Sequence, residues 1–259
     1  MKNMAGSFWD AIKNIFQEKE SPEVTKLRAA AEQGDANAQN ELGLCYEYGR
    51  GIGKNSYKAA EWYRKSAEQG FACAQCNLGL CYEFARGVEK NNAKAVEWYR
   101  KSADGGFVRA YHRLGLCYAE GIGVEKDFGE AVKHWHVAAL KNYAPAQYEM
   151  GSACETFEKF EAAVNWYRLA ADQGNAEAQR NLGLCYWNGR GVAEDHVQGV
   201  EWLKKSADQG NSDALYLLGG AYIMGDGVPK DLMEGKRLLE RAAAKGNKTA
   251  QKHLEWFSD

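Results

Sequence analysis

The chain returns to a glycine at a fixed interval. Gly34, Gly70 and Gly106 stand 36 residues apart, as do Gly174, Gly210 and Gly246, and the 68-residue gap between Gly106 and Gly174 divides at Asn142 into 36 and 32. A period in this range marks stacked supersecondary units, each leaning on its neighbours to bury an apolar face it cannot bury alone. It overrides the expectation of one or two globular domains that 259 residues would otherwise carry. Six repeats are expected, at 35–70, 71–106, 107–142, 143–174, 175–210 and 211–246. Half-repeats at 21–34 and 247–259 flank them, and residues 1–20 precede the array. The fold class this implies is all-α, an α-solenoid of helix-turn-helix units.

The first complete unit, Asp35–Gly70, reads as two helices. Ala38, Leu42, Cys45 and Tyr46 share one face of the first, and Ala59, Trp62, Tyr63, Ser66 and Ala67 one face of the second. Gly49-Arg50-Gly51-Ile52 turns the chain between them. Asn55 and its equivalents Asn91, Asp127, Asp195 and Asp231 stand where the second helix needs an N-cap. The closing glycine supplies a left-handed conformation, and Asn142, its one replacement, tolerates that geometry best after glycine. Unbroken alanine columns, Ala38 to Ala250 in the first helices and Ala67 to Ala243 in the second, let helices pack at the short end of the roughly 8–10 Å range. The column Trp62, Trp98, His134, Trp166, Trp202 and Leu238 is expected to fill space between units, so most tryptophans read as packing before recognition. Repeat four loses four residues and the whole glycine-rich loop, leaving CETFEKFEA; a tighter hairpin and a local change of superhelical curvature are expected there.

The ends carry their own signals. Phe8, Trp9, Ile12, Ile15 and Phe16 fall on one helical face, expected as a lid over the first repeat. The alternative is a membrane-surface or partner-binding helix, against which Lys13 is the one basic residue on the polar face. Ser21-Pro22 opens the helix of the first half-repeat, and Ala250, Leu254 and Phe257 face inward on the closing one. No apolar run approaches the roughly 20 residues that span a bilayer. The N-terminus lacks the layout of a secretory signal, and seven cysteines without one favour a reducing compartment. A cytoplasmic location is expected, with delivery as an effector by a signal-independent route left open.

Net charge of −2, from 33 basic and 35 acidic residues, argues against bulk attraction to nucleic acid. No catalytic motif is present: His112, His134, His136, His196 and His253 stand in no recognised spacing with a Ser, Cys or carboxylate, and the glycines belong to turns. The expectation is a non-enzyme without cofactor or metal. Cys73 and Cys76 form a C-x-x-C at a helix start, where a lowered thiol pKa gives a redox reading a mechanism. A structural zinc needs four ligands, and His112 would add at most one. Cys45, Cys81, Cys117 and Cys185 share a column with Ala153 and Ala221, which asks only for a small apolar side chain.

The runs AQNELGLCYEYGRGI, AQCNLGLCYEFARGV and AQRNLGLCYWNGRGV, each followed by EWYRKSA or EWLKKSA and a glycine, resemble Sel-one-like repeats, relatives of tetratricopeptide repeats, across 21–259. The resemblance implies a right-handed superhelix acting as an adaptor, with the first helix of each repeat lining a concave groove. Groove positions left over from the core columns are Asn77, Leu80, Glu83 and Phe84 in repeat two, and Arg109, His112, Arg113 and Glu120 in repeat three. Tyr148, Glu149 and Thr156 follow in repeat four, Arg180, Asn181, Trp187 and Asn188 in repeat five, and Tyr216, Leu217, Ile223 and Met224 in repeat six. Arginine and exposed aromatics are enriched at binding hot spots. Asn77, Arg109 and Arg113 match part of the carboxylate clamp of tetratricopeptide co-chaperones, whereas Asn40 and Leu44 depart from it. The expected partner is a protein or peptide, with an anionic segment as one form, bound by a monomer. Two alternatives stand beside this adaptor: a cell-wall-active or β-lactam-binding hydrolase-like protein of the family's cysteine-rich branch, whose repeats are stapled by paired cysteines, and a membrane-associated scaffold using the N-terminal helix.

Overall fold

The computed structural model describes residues 20–255. The amphipathic N-terminal stretch and Phe257 lie outside them. Among the described residues every regular element is a helix. The opening half-repeat supplies α1 (Pro22–Glu32). Repeats one to three supply α2 (Ala36–Tyr48) and α3 (Ser56–Glu68), α4 (Ala72–Phe84) and α5 (Asn92–Asp104), and α6 (Val108–Glu120) and α7 (Phe128–Leu140). Repeats four to six supply α8 (Ala144–Thr156) and α9 (Phe160–Asp172), α10 (Ala176–Asn188) and α11 (His196–Asp208), and α12 (Ser212–Met224) and α13 (Leu232–Ala244), before α14 (Lys248–Glu255) closes the array. The fold is the all-α, helix-turn-helix solenoid class that the period implies. The chain forms two compact units that divide between Ala131 and Val132, inside α7.

The same local rules build both units. Asn55, Asn91, Asp127, Asp195 and Asp231 each accept from the backbone N–H three residues on, at 2.9–3.0 Å, so every second helix that follows a glycine-rich loop starts on the cap its sequence provides. Asn142 takes φ 59° where the other repeats close on glycine. The short turn of repeat four is three residues, 157–159, with Glu158 in the left-handed region, against seven residues in 49–55.

Consecutive helices are tied by side chains that answer backbone carbonyls. Gln39 and Gln75 in the first unit, and Gln147, Gln179 and Gln251 in the second, donate to the alanine carbonyl eight residues earlier, on the preceding helix, at 2.9–3.3 Å. Ser66 and Ser102 donate to Ala36 and Ala72 at 2.6 Å, and Ser206 to Ala176 at 2.7 Å, joining the two helices of one repeat. An orphaned buried carbonyl costs about 1–3 kcal/mol, so these rungs fix register as well as contact.

The aromatic packing refines the sequence expectation: Trp62, Trp98 and Trp202 do pack against the core, and Leu238 of the same column is buried. The tryptophans themselves are only half-buried, and Lys65, Lys101 and Lys205 lie over Trp62, Trp98 and Trp202 at 3.7–4.3 Å from the ring centroid. The column that fills the core is the next one along, Tyr63 and Tyr99 in the first unit and Trp135, Tyr167, Leu203 and Leu239 in the second. Opposite it in repeats one, two, four, five and six stands a first-helix glycine. An added Cβ at Gly43, Gly79 or Gly151 would lie 2.5 Å from the facing tyrosine ring. We therefore expect Gly79→Ala to lower stability by about 1–3 kcal/mol through overpacking. Gly220→Ala, where a Cβ meets nothing within 4 Å, should be neutral or stabilising. Urea unfolding followed by circular dichroism measures both.

Candidate ligand-binding cleft

A buried tyrosine hydroxyl needs an acceptor. Tyr63, Tyr99 and Tyr167 donate to Glu47, Glu83 and Glu155 at 2.5–2.7 Å, and burial together with these carboxylates holds all three phenols above their ordinary pKa. Each glutamate lies in the last turn of the first helix of its own repeat. In repeats five and six the tyrosine position is Leu203 and Leu239, which need no acceptor, and the glutamate position is Trp187 and Ile223. The exchange is coupled: a polar pair becomes an apolar pair, and an indole replaces a carboxylate on the first-helix surface of repeat five.

A second change opens space beside that indole. Repeats one, two, three and five carry Leu44, Leu80, Leu116 and Leu184 just after the core glycine, but repeat six has Gly220. The missing side chain leaves a cleft of about 410 Å³ in the second unit. Trp187, Tyr216, Leu217, Ile223 and Met224 wall it, with Leu239 beneath and Asp226 and His253 also facing it. Met224 is 75% exposed. Tyr216 pairs with His253 of the closing helix, ring centroids 5.5 Å apart. Trp187 is held by His196, whose ring stacks parallel to it with centroids 4.9 Å apart. The structure thus brings together Trp187, Tyr216, Leu217, Ile223 and Met224 from the sequence set. Sequence reasoning passed over Gly220, Asp226, His253 and His196. The Gly-Gly of LLGGAY, against Gly-Leu in the other loop-bearing repeats, was the available signal.

The polar positions are differently arranged. In the first unit Asn77 donates to Asn40 at 2.9 Å and is buried, so these two clamp positions satisfy each other. Arg113 is ion-paired to Glu83, itself 6% exposed and bonded to Tyr99, and its guanidinium lies over Tyr99 and Phe84. Leu44 packs against the core, and of the clamp set only Arg109 is exposed. Removing a partner from a buried pair leaves an uncompensated charge, so Arg113 is held for structure before recognition. Phe84 is 49% exposed and His112 half-buried. In the second unit Tyr148 packs 6.0 Å from the Tyr167 ring, and Arg180 pairs with Glu177 at 3.0 Å and Asp213 at 3.6 Å.

The Sel1 repeat family model matches residues 36–71, 74–107, 108–143, 144–175, 176–211 and 212–247. The chain belongs to the Sel1 repeat family. It is similar to a protective antigen of uropathogenic Escherichia coli that displays the SLR fold, with 36% identity and TM-score 0.80. That match covers 90% of this chain but only 51% of the antigen chain. A Sel1 repeat protein of Oxalobacter formigenes is 37% identical with TM-score 0.75, over 81% of this chain and 86% of that one. An immunity protein of Pseudomonas aeruginosa shares the fold at 20% identity and TM-score 0.56, over 82% and 83%. No curated protein is significantly similar to the chain. Sel1 repeats are typical of protein-interaction scaffolds and generally non-enzymatic.

In this Sel1 array the seven cysteines are free thiols, all on first helices. Burial pushes Cys76, Cys81 and Cys117 up to about 12 and Cys185 up to about 11, and it raises Cys73 as well. At the C-x-x-C, desolvation therefore outweighs the helix N-terminus, and both thiols are raised above the ordinary value rather than lowered below it. Among the described residues no group of three His, Cys, Asp or Glu is placed to hold a metal, and no helix is long and apolar enough to cross a membrane. In native protein at pH ~8, Cys76, Cys81, Cys117 and Cys185 should react with a disulfide reagent about a hundredfold or more slowly than free cysteine. Denatured protein should release all seven thiols. Rapid labelling of Cys76 in the native state would contradict this account.

Proposed function

We propose that the protein is a non-enzymatic scaffold that takes an apolar anchor of a partner protein, on an extended or helical segment, into the cleft of repeats five and six. The observation that carries this reading is the hollow at Gly220, walled by Trp187, Tyr216 and Met224 and open to solvent. Preformed apolar clefts with a few polar groups at the edge are the usual form of a ligand site, and aromatic anchors dominate such interfaces. Tyr148 and Arg180, in the same unit, serve as flanking contacts. In the first unit Arg109, His112 and Phe84 are the residues offered for contact, and Arg113 and Asn77 support that unit's first-helix surface from within, because their polar groups are already paired. A monomer in a reducing compartment fits the seven unpaired thiols. The cysteine-rich, β-lactam-binding alternative rests on disulfides between paired helices, and no observation here favours it.

The decisive variant is Gly220→Leu, which restores the leucine of the neighbouring repeats into open space. We expect saturable binding of the neutral apolar probe N-phenyl-1-naphthylamine to wild type. Binding should fall at least about tenfold in Gly220→Leu and in Trp187→Ala/Tyr216→Ala, a loss of ~1.4 kcal/mol or more. Gly220→Leu should keep the wild-type melting temperature or raise it. Affinity capture from cell extract should lose the same partners in both variants. Equal probe affinity and identical capture in Gly220→Leu would overturn the reading.

A further inference from the structure

His196 is the first residue of α11, where the positive end of the helix disfavours an imidazolium. Both of its ring nitrogens nevertheless face carboxylates. Nδ1 bonds to Asp226 Oδ1, from the loop after α12, and Nε2 lies 3.1 Å from Glu194 Oε1, in the turn before α11. Neutral imidazole has one N–H and can satisfy one of these acceptors; only the doubly protonated ring satisfies both. The face of the same ring lies flat on Trp187 of α10, which brings no charge. The nearest further carboxylate on its own element, Asp195, is engaged by the Gln198 backbone N–H.

The corresponding junction one repeat earlier uses different chemistry. There the loop residue is Arg190, and it lies 4.6 Å over the ring of Phe160, the first residue of α9. Arg190 and Phe160 stand in the repeat where Asp226 and His196 stand in the next. Where repeat five has a cation–π contact that does not titrate near neutrality, repeat six has an ion pair that does, and it lies beside the apolar cleft. Two of the residues facing that cleft, Trp187 and Asp226, are the two that His196 holds.

We infer that His196 is a pH-responsive positioning residue for this cleft, whose imidazolium fixes Trp187 by stacking and Asp226 by ion pairing and whose hold on them weakens when it loses its proton. The inference rests on the cleft being the binding surface proposed above. The hydrogen bond with Asp226, together with both neighbouring carboxylates, raises the pKa of His196 above its ordinary value despite partial desolvation. A raised pKa makes the hold complete below the ordinary imidazole range and progressively lost as pH rises through the higher, folded-state value. The cleft wall is therefore held most firmly at acid to near-neutral pH.

Two measurements on the full chain test this. The first follows the indole N–H signal of Trp187, assigned by its absence in Trp187→Phe, and the ring signals of His196 from about pH 5.5 to 9. The two should titrate with one midpoint, above that of an ordinary histidine. His196→Gln should flatten the indole titration, and Asp226→Asn should lower the midpoint. The second measures N-phenyl-1-naphthylamine affinity over the same range. Wild type should bind about two- to fivefold more weakly above the midpoint, as expected for loss of one solvent-exposed ion pair. His196→Gln should bind at the weaker level at every pH. An indole signal indifferent to pH, or titrating equally in His196→Gln, overturns the inference. So does constant probe affinity in wild type while the indole shifts. If wild type binds no probe at any pH, the cleft reading fails and the regulatory inference falls with it, while a shared titration would still assign His196 as the residue that holds Trp187.

Discussion

Within a repeat, the two helices close until only a glycine hydrogen separates the first helix from the core residue of the second. At Gly43, Gly79 and Gly151 the space a methyl would need is already occupied by a tyrosine ring. Everything else about the first-helix surface follows from what that core residue requires. A tyrosine buried against glycine brings a hydroxyl with no access to water, so the last turn of the first helix must present an acceptor, and Glu47, Glu83 and Glu155 do so. Once Glu83 is fixed by Tyr99 it carries a buried negative charge, and Arg113 from the next repeat answers it. Where leucine replaces tyrosine the requirement lapses, and the same position is free to be Trp187 or Ile223. The polarity of the outer surface is in this sense set from the core.

The repeat period, the caps and the closing glycines were legible because each is a local rule repeated many times, so columns within one chain can be compared. The short turn at 157–159 was legible for the same reason. What was not legible depends on pairs. Trp62 and Tyr63 are adjacent, and helical periodicity cannot say which of two neighbouring aromatics faces the core; the half-buried tryptophans under Lys65, Lys101 and Lys205 resolve it only in three dimensions. Arg113 and Glu83 were both read as groove residues, thirty positions apart, and neither shows by itself that it is committed to the other. The N-terminus of α4 suggested an activated Cys73–Cys76 pair, but the pKa of a thiol depends on burial that the spacing does not encode. The apolar character of the repeat-six positions was readable as composition, whereas the depth of the cleft depended on an absence, the side chain missing at Gly220.

That absence has a thermodynamic meaning. Glycine inside a helix is less favourable than alanine by about 1 kcal/mol, and leaving out a leucine that is half-buried at this position in repeats one, three and five forgoes on the order of another 1 kcal/mol of burial. Domains of this kind hold about 5–15 kcal/mol in total, so a hollow of this size is a substantial local sacrifice of stability. The neighbouring repeats show that the backbone accepts leucine at this position, and the open space at Gly220 shows that no packing clash forbids it here. Folding alone therefore gives no reason for the glycine. The residues gathered around the hollow point the same way. Trp187 is braced on one face by His196, and Tyr216 by His253, so two large aromatic surfaces are held in place and left half-exposed. Rigid aromatics lose little conformational entropy on contact with a ligand, which is the condition under which burying apolar area converts into affinity. A solenoid repeats its core by necessity. At Gly220 it departs from the repeat at the expense of its own stability, and that departure, more than any exposed charge along the first helices, is what supports the proposed cleft.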